Sequence, residues 1–193
     1  MTELIYLNGK GRGQIARNIL ALFGVEFKDT RVSMTPELKE SLEYGVLPKL
    51  IEGDFELAEG IAIYRYLAEK YNFSGSTLQE RAIAESIVSA SLTILVDYHT
   101  ARNDQDQEKL NKVTIPKILG HWESRLSKFS NAAGGTNRTY ADLSIFTIIE
   151  SLSSVAQLVS KSYPNIEKLM QYYYNHDIIG KYYKSESITS LPW

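Results

Sequence analysis

The chain changes its periodicity near residue 72. Before that point short extended runs alternate with helical ones, and after it every periodic segment reads as helix. Leu4 to Leu7 is a short apolar strand. Gln14 to Phe23 carries Ile15, Ile19 and Leu22 on one helical face and stops at Gly24. Val25 to Val32 is extended. Thr35-Pro36-Glu37 has the form of a helix start, a cap residue followed by proline. Leu47 to Ile51 and Phe55 to Leu57 are short strands around Glu52-Gly53-Asp54, a hairpin signal. Ile61 to Tyr71 is again helical. Strands separated by helices predict parallel pairing in the first part.

The rest predicts a helical bundle. Ile83, Ile87, Ile94 and Leu95 make one stripe, and Leu110, Val113, Ile118, Trp122, Leu126 and Phe129 make another, with Pro116 expected to kink or restart its helix. Thr139-Tyr140-Ala141-Asp142 has capping-box spacing. The helix it opens is apolar nearly all round, from Leu143 to Val155, as befits the middle of a bundle. Further helices are expected from Tyr163-Pro164-Asn165 onward and over Asp177 to Tyr183. Tyr172, Tyr173 and Tyr174 cannot all face one way, so part core and part surface is expected. The expected organisation is an α/β domain over 1–72, a linker at 73–77 and an all-helical domain over 78–193.

Composition narrows the function. A formal net charge of -2 gives no basic field for nucleic acid. The absence of cysteine removes disulfides, thiolate catalysis by the protein and cysteine metal sites. His99, His121 and His176 are scattered, without metal-ligand spacing. Met1-Thr2-Glu3 does not open a signal peptide, and no apolar run approaches a membrane span, so a reducing cytoplasmic setting is expected.

The most chemically suggestive run is Tyr6-Leu7-Asn8-Gly9-Lys10-Gly11-Arg12-Gly13. It places a phenol at the end of a strand, beside a glycine-rich turn and a helix N-terminus. A phenol held there can donate a hydrogen bond to an anionic sulfur or oxygen and lower its pKa.

With Tyr44-Gly45-Val46-Leu47-Pro48-Lys49-Leu50, Glu59-Gly60-Ile61-Ala62-Ile63-Tyr64-Arg65-Tyr66-Leu67 and Thr139-Tyr140-Ala141-Asp142-Leu143, the whole chain resembles the cytosolic glutathione transferases. The tyrosine-type classes fit best, sigma or pi nearest. The resemblance implies a thioredoxin-like N-terminal domain that binds glutathione and an all-α C-terminal domain that supplies most of the electrophile pocket. It implies that Tyr6 hydrogen-bonds the glutathione sulfur and that Arg12 supports it. Lys39 would meet the glycine carboxylate, and Leu47 would pair its backbone with the cysteinyl unit beside a cis Pro48. Val46 stands at a ligand-touching position, and Glu59 and Gly60 would hold the γ-glutamyl end. Tyr44 matches an aromatic that plugs into a partner subunit, so a homodimer is expected. Thr139 and Asp142 match the structural capping box. Glutathione enters as co-substrate, and no cofactor or metal is called for.

Leu95, His99 and Arg102 are expected on one helix face, lining a pocket for a small apolar electrophile. One departure stands out. The family usually carries serine where this chain has Gly60, and losing that hydroxyl is expected to cost about tenfold or more in affinity. That loss motivates the alternative of a non-catalytic relative: a ligand carrier, a structural protein or an assembly module.

Overall fold

Helix α1 (Gly13–Leu22) shows how closely local rules shape this chain. It ends in a Schellman closure: Gly24 has φ +64°, its N–H donates to the Ala21 carbonyl, and the Val25 N–H donates to the Leu20 carbonyl. Val25 is therefore spent on the helix end. Strand β2 begins at Phe27 and not at Val25, running Phe27–Val32 beside β1 (Thr2–Leu7). The two strands pair in parallel, with Tyr6 opposite Arg31. The computed structural model describes residues 1–185 and 188.

Helix α2 (Pro36–Ser41) is capped by Thr35, whose side chain accepts from the Leu38 N–H at 3.2 Å. Strand β3 (Lys49–Glu52) starts two residues later than expected, because Pro48 has no N–H to give to a ladder. Strand β4 (Phe55–Ala58) follows across a turn at Gly53, and α3 (Gly60–Lys70) closes the unit. The sheet has the order β2-β1-β3-β4, with β1–β3 and β3–β4 antiparallel. Leu4 and Leu50 from the sheet and Ile15, Ile19, Ile63 and Leu67 from the helices are fully buried. Each such side chain contributes about 1.5–3 kcal/mol.

The chain divides into two compact units, Met1–Tyr71 with the segment from Tyr174 onward, and Asn72–Tyr173. The first unit thus includes a short helix near the C-terminus, Ile179–Tyr183, packed on α1. The Asn18 side chain donates to the Tyr183 hydroxyl at 2.7 Å, and burial pushes the Tyr182 phenol up to about 12. The expected 78–193 boundary places this segment with the helical domain, whereas it packs on α1.

The second unit contains α4 (Leu78–Thr100), α5 (Asp104–Lys109), α6 (Ile115–Leu126), α7 (Tyr140–Ser151), α8 (Ser153–Ser162) and α9 (Pro164–Tyr174), α9 running one residue past its edge. Between α5 and α6 lies one turn of π-helix, Leu110–Thr114. Its extra residue changes the expected stripe. The buried positions are Leu110, Ile115, Leu119 and Trp122, whereas Val113 and Phe129 face solvent. Pro116 sits in the first turn of α6, where its missing N–H costs little. The α7 capping box is complete, and nearly every residue of α7 is buried. Tyr173 is buried while Tyr172 and Tyr174 are exposed, the split the spacing predicted. Among the described residues no single helix is long and apolar enough to cross a membrane.

Candidate active site

Strand β1 delivers Tyr6 one step past the last β1–β3 pair, Ile5 with Lys49, so its ring emerges where the sheet gives way to the turn. The turn folds over that ring. A Cβ at Gly11 would come within 2.5 Å of the Tyr6 hydroxyl, and one at Gly13 within 2.5 Å of the ring edge. Gly11 also has φ +36°. Glycine is required here because the main chain lies on the ring.

The close approach sets up the key hydrogen bond. The Arg12 backbone N–H donates to the Tyr6 hydroxyl oxygen at 3.0 Å. The phenol thus accepts from the main chain and keeps its own proton to donate. Arg12 occupies the N-cap of α1, and no acidic residue lies in the first turn of that helix. The helix end therefore presents partial positive charge with no side-chain carboxylate to neutralise it. The Arg12 side chain is exposed, and it is the backbone of Arg12 that touches Tyr6.

Beneath the ring lies Arg17, which the sequence did not single out. Its guanidinium is fully buried, 5.7 Å from the Tyr6 ring centroid. It donates to Asp29 at 2.9 Å and to the Gly9 carbonyl at 2.8 Å. It thereby ties the start of the turn to β2 and places a cation against the π face. Nothing in the spacing marks it: Arg17 lies two residues from both Ile15 and Ile19, off the helical face they share.

The second edge of the site is the junction before α3. The Leu47–Pro48 bond is cis, and both residues are buried. Among the described hydrogen bonds, none takes up the Leu47 main chain. Glu59 precedes α3 with φ +72° and ψ +117°, a conformation that costs a non-glycine residue about 1–3 kcal/mol. It is exposed and makes no side-chain cap bond, so the N-terminus of α3 is open. Gly60 is buried, and a Cβ on it would lie 3.6 Å from Pro48 Cδ and 2.6 Å from the Tyr64 hydroxyl. That hydroxyl donates to the Arg12 carbonyl. Hydrogen bonds therefore run from Tyr64 in α3 through Arg12 to Tyr6.

The remaining expected residues are placed differently. Val46 is half-buried. Lys39 is exposed on α2, its stem within 3.4 Å of where a Cβ on Gly45 would be. Tyr44 is 74% exposed on a left-handed backbone, φ +57°. In the helical unit the expected common face of Leu95, His99 and Arg102 does not hold. Leu95 is only 2% exposed and belongs to the core of its unit. Helix α4 ends at Thr100, so Arg102 lies beyond it, in the link to α5. His99 is exposed in the last turn. Among the described residues no three His, Asp or Glu side chains gather as a metal site.

Comparison with known proteins covers nearly all of this chain. Residues 2–69 match the family described as glutathione S-transferase, N-terminal domain, and residues 90–186 match glutathione S-transferase, C-terminal domain. A Dictyostelium discoideum protein bearing the name glutathione S-transferase alpha-2 is 32% identical over 98% of this chain and 96% of its own. The class-mu 28 kDa glutathione S-transferase isozyme of Schistosoma japonicum is 30% identical over 86% of this chain and 88% of its own. The solved glutathione S-transferase of Ascaris lumbricoides superposes with a TM-score of 0.81 at 27% identity, over 95% of this chain and 96% of that one.

Proposed function

This chain belongs to the glutathione S-transferase family, and from that premise we propose that it joins the thiolate of glutathione to a small hydrophobic electrophile, with Tyr6 as the residue that activates sulfur. The observation that carries this reading is the hydrogen-bond state of Tyr6. Its oxygen already accepts the Arg12 N–H, which leaves the phenolic proton to donate to the ligand sulfur.

A free thiol with a pKa near 8.5 is mostly protonated at neutral pH. A phenol donor, the positive end of the α1 dipole and the Arg12 charge all favour the anion. The thiol proton leaves to solvent. The thiolate then attacks the electrophilic carbon, forming the S–C bond, while the displaced group takes the electron pair. In an isomerisation the thiolate departs again.

The tripeptide is held, in this reading, along an edge of the first unit. The free main chain of Leu47 pairs with the cysteinyl unit as an added strand, with Val46 and Pro48 alongside. The open N-terminus of α3 at Gly60 takes the γ-glutamyl carboxylate, and Glu59 takes its amino group. Lys39 reaches the glycine carboxylate. In this reading residues 1–72 are the glutathione domain and 78–193 the helical domain, the latter lending its helix Ile179–Tyr183 to the packing on α1. His99 and Arg102 remain candidates for the electrophile side. The enzyme works in the cytoplasm as a homodimer, in which exposed Tyr44 is the natural contact, and needs no cofactor beyond glutathione as co-substrate.

Calorimetric titration with reduced glutathione, followed by a conjugation assay with an aryl halide, tests this. Saturable binding in the micromolar to low millimolar range with turnover is expected. No binding at several millimolar would overturn it in favour of a non-catalytic carrier.

A further inference from the structure

Tyr64 carries no role in the reaction described so far, yet it touches both edges of the site. Its side chain is fully buried in α3, one turn after Gly60. Its hydroxyl donates to the Arg12 carbonyl. The same oxygen fills the space a side chain at position 60 would need: a Cβ there would lie 2.6 Å from the hydroxyl and 3.0 Å from the ring carbon bearing it.

Arg12 is consequently held at both of its main-chain groups by phenols. Its N–H points to Tyr6, and its carbonyl receives Tyr64. Those groups flank one Cα, held at φ -66° and ψ -23°, so fixing the carbonyl limits the swing of the amide. We infer that Tyr64 is a positioning residue for the reaction: its hydroxyl holds Arg12 so that the Arg12 N–H stays on the Tyr6 phenol, and it takes the space that a hydroxyl-bearing side chain at position 60 would need. Glycine at 60 and tyrosine at 64 are in this sense one choice.

Tyr64 suits that task chemically. Burial holds its phenol well above the ordinary range, with the neighbouring Tyr6 acting in the same direction, then Arg12 opposing and Glu59 adding. It stays a neutral donor at any working pH. The kinetic half of this inference rests on the transferase reading, whereas the geometric half does not.

The experiment is a cycle of Tyr64→Phe, Gly60→Ser and the double variant. In Tyr64→Phe the fold is retained by circular dichroism, and kcat at neutral pH falls about fivefold, the worth of one neutral hydrogen bond. The loss shrinks as pH rises, because the weakened Tyr6 raises the pKa of the bound thiol, while KM for glutathione changes less than about twofold. The Arg12 amide cross-peak in a nitrogen–proton spectrum shifts and exchanges faster. Gly60→Ser alone lowers the melting temperature. The double variant recovers most of that loss, since only the ring carbon, needing a few tenths of an ångström, remains in the way.

An unchanged pH profile with an unmoved Arg12 amide in Tyr64→Phe would overturn the positioning role. A Gly60→Ser chain as stable as the parent would overturn the coupling. If Tyr64→Phe does not fold, Gly60→Ala presses on the same hydroxyl and must itself move the Arg12 amide. If the parent protein shows no glutathione turnover, the transferase reading fails, and the amide spectrum and melting cycle still decide the role of Tyr64.

Discussion

The Tyr6 turn and the start of α7 both hold polar side chains against main-chain donors, with opposite results. At α7 the buried Asp142 carboxylate accepts the Thr139 and Ala132 N–H groups, each at 2.9 Å, and pairs with Arg138 at 3.1 Å. Its hydrogen-bonding capacity is used on the fold. Burial still pushes its pKa up, with the two N–H donors opposing. At the turn the Tyr6 hydroxyl accepts one N–H and keeps its proton, and the ring under it is clasped by glycines. A polar group saturated from within serves stability. One that keeps its own proton to donate, beside a helix N-terminus, is left available to a ligand.

The sharpest way to break this contrast is to remove each group. Asp142→Ala strips several buried donors at once, and a loss of about 3 kcal/mol is expected. For a chain of this size that lowers the melting temperature by about 6–12 °C. Turnover per folded molecule should hold in the same sample. A variant that melts like the parent but loses activity would invert the assignment.

Tyr6→Phe should do the reverse. Turnover at neutral pH is expected to fall about 100-fold, as when one donor to a developing anion is removed. Glutathione binding by calorimetry should stay nearly intact, and the melting curve should barely move because the ring and its packing remain. Equal activity in the variant would remove Tyr6 from the mechanism.

The smallest effect sharpens the comparison within the first unit. Glu52 accepts from Lys70 and Tyr66 at 2.6 and 2.7 Å and from Thr2 at 3.2 Å, far from the turn. Burial opposes its ionisation, and these partners outweigh that and hold its pKa below the ordinary glutamate value of 4.5. A carboxylate lowered on folding contributes stability above its unfolded pKa and loses it as pH falls through the folded one. The parent should therefore exceed Glu52→Gln by less than about 1 kcal/mol near neutrality, the gap closing below about pH 4.5. A gap that widens with acid would contradict this sign.

Much of the fold was legible because its signals are local. Thr35 and Thr139 cap the helices that their spacing announced, and Gly24 ends α1 where the apolar face stops. The departures also have local chemistry behind them: the Schellman closure that consumes Val25, the missing N–H of Pro48, and the π turn that moves Val113 to the surface. For the candidate site, the sequence singled out Tyr6, the turn glycines and the Leu47–Pro48 and Glu59–Gly60 pairs. It assigned Arg12 a charge role, whereas the contact with Tyr6 is made by the Arg12 backbone.

The amino-acid order alone set the element sequence, the caps, the tight turn and the type of chemistry a phenol beside a helix end can perform. Those follow from periodicity and turn stereochemistry within a few residues. Only the packed structure decided which polar groups are saturated and which remain available. Arg17 beneath Tyr6, and Tyr64 closing on Arg12 from 52 positions away, depend on how strand, turn and α3 meet. No spacing rule along the chain encodes a hydrogen bond between elements, because its partners are chosen by packing.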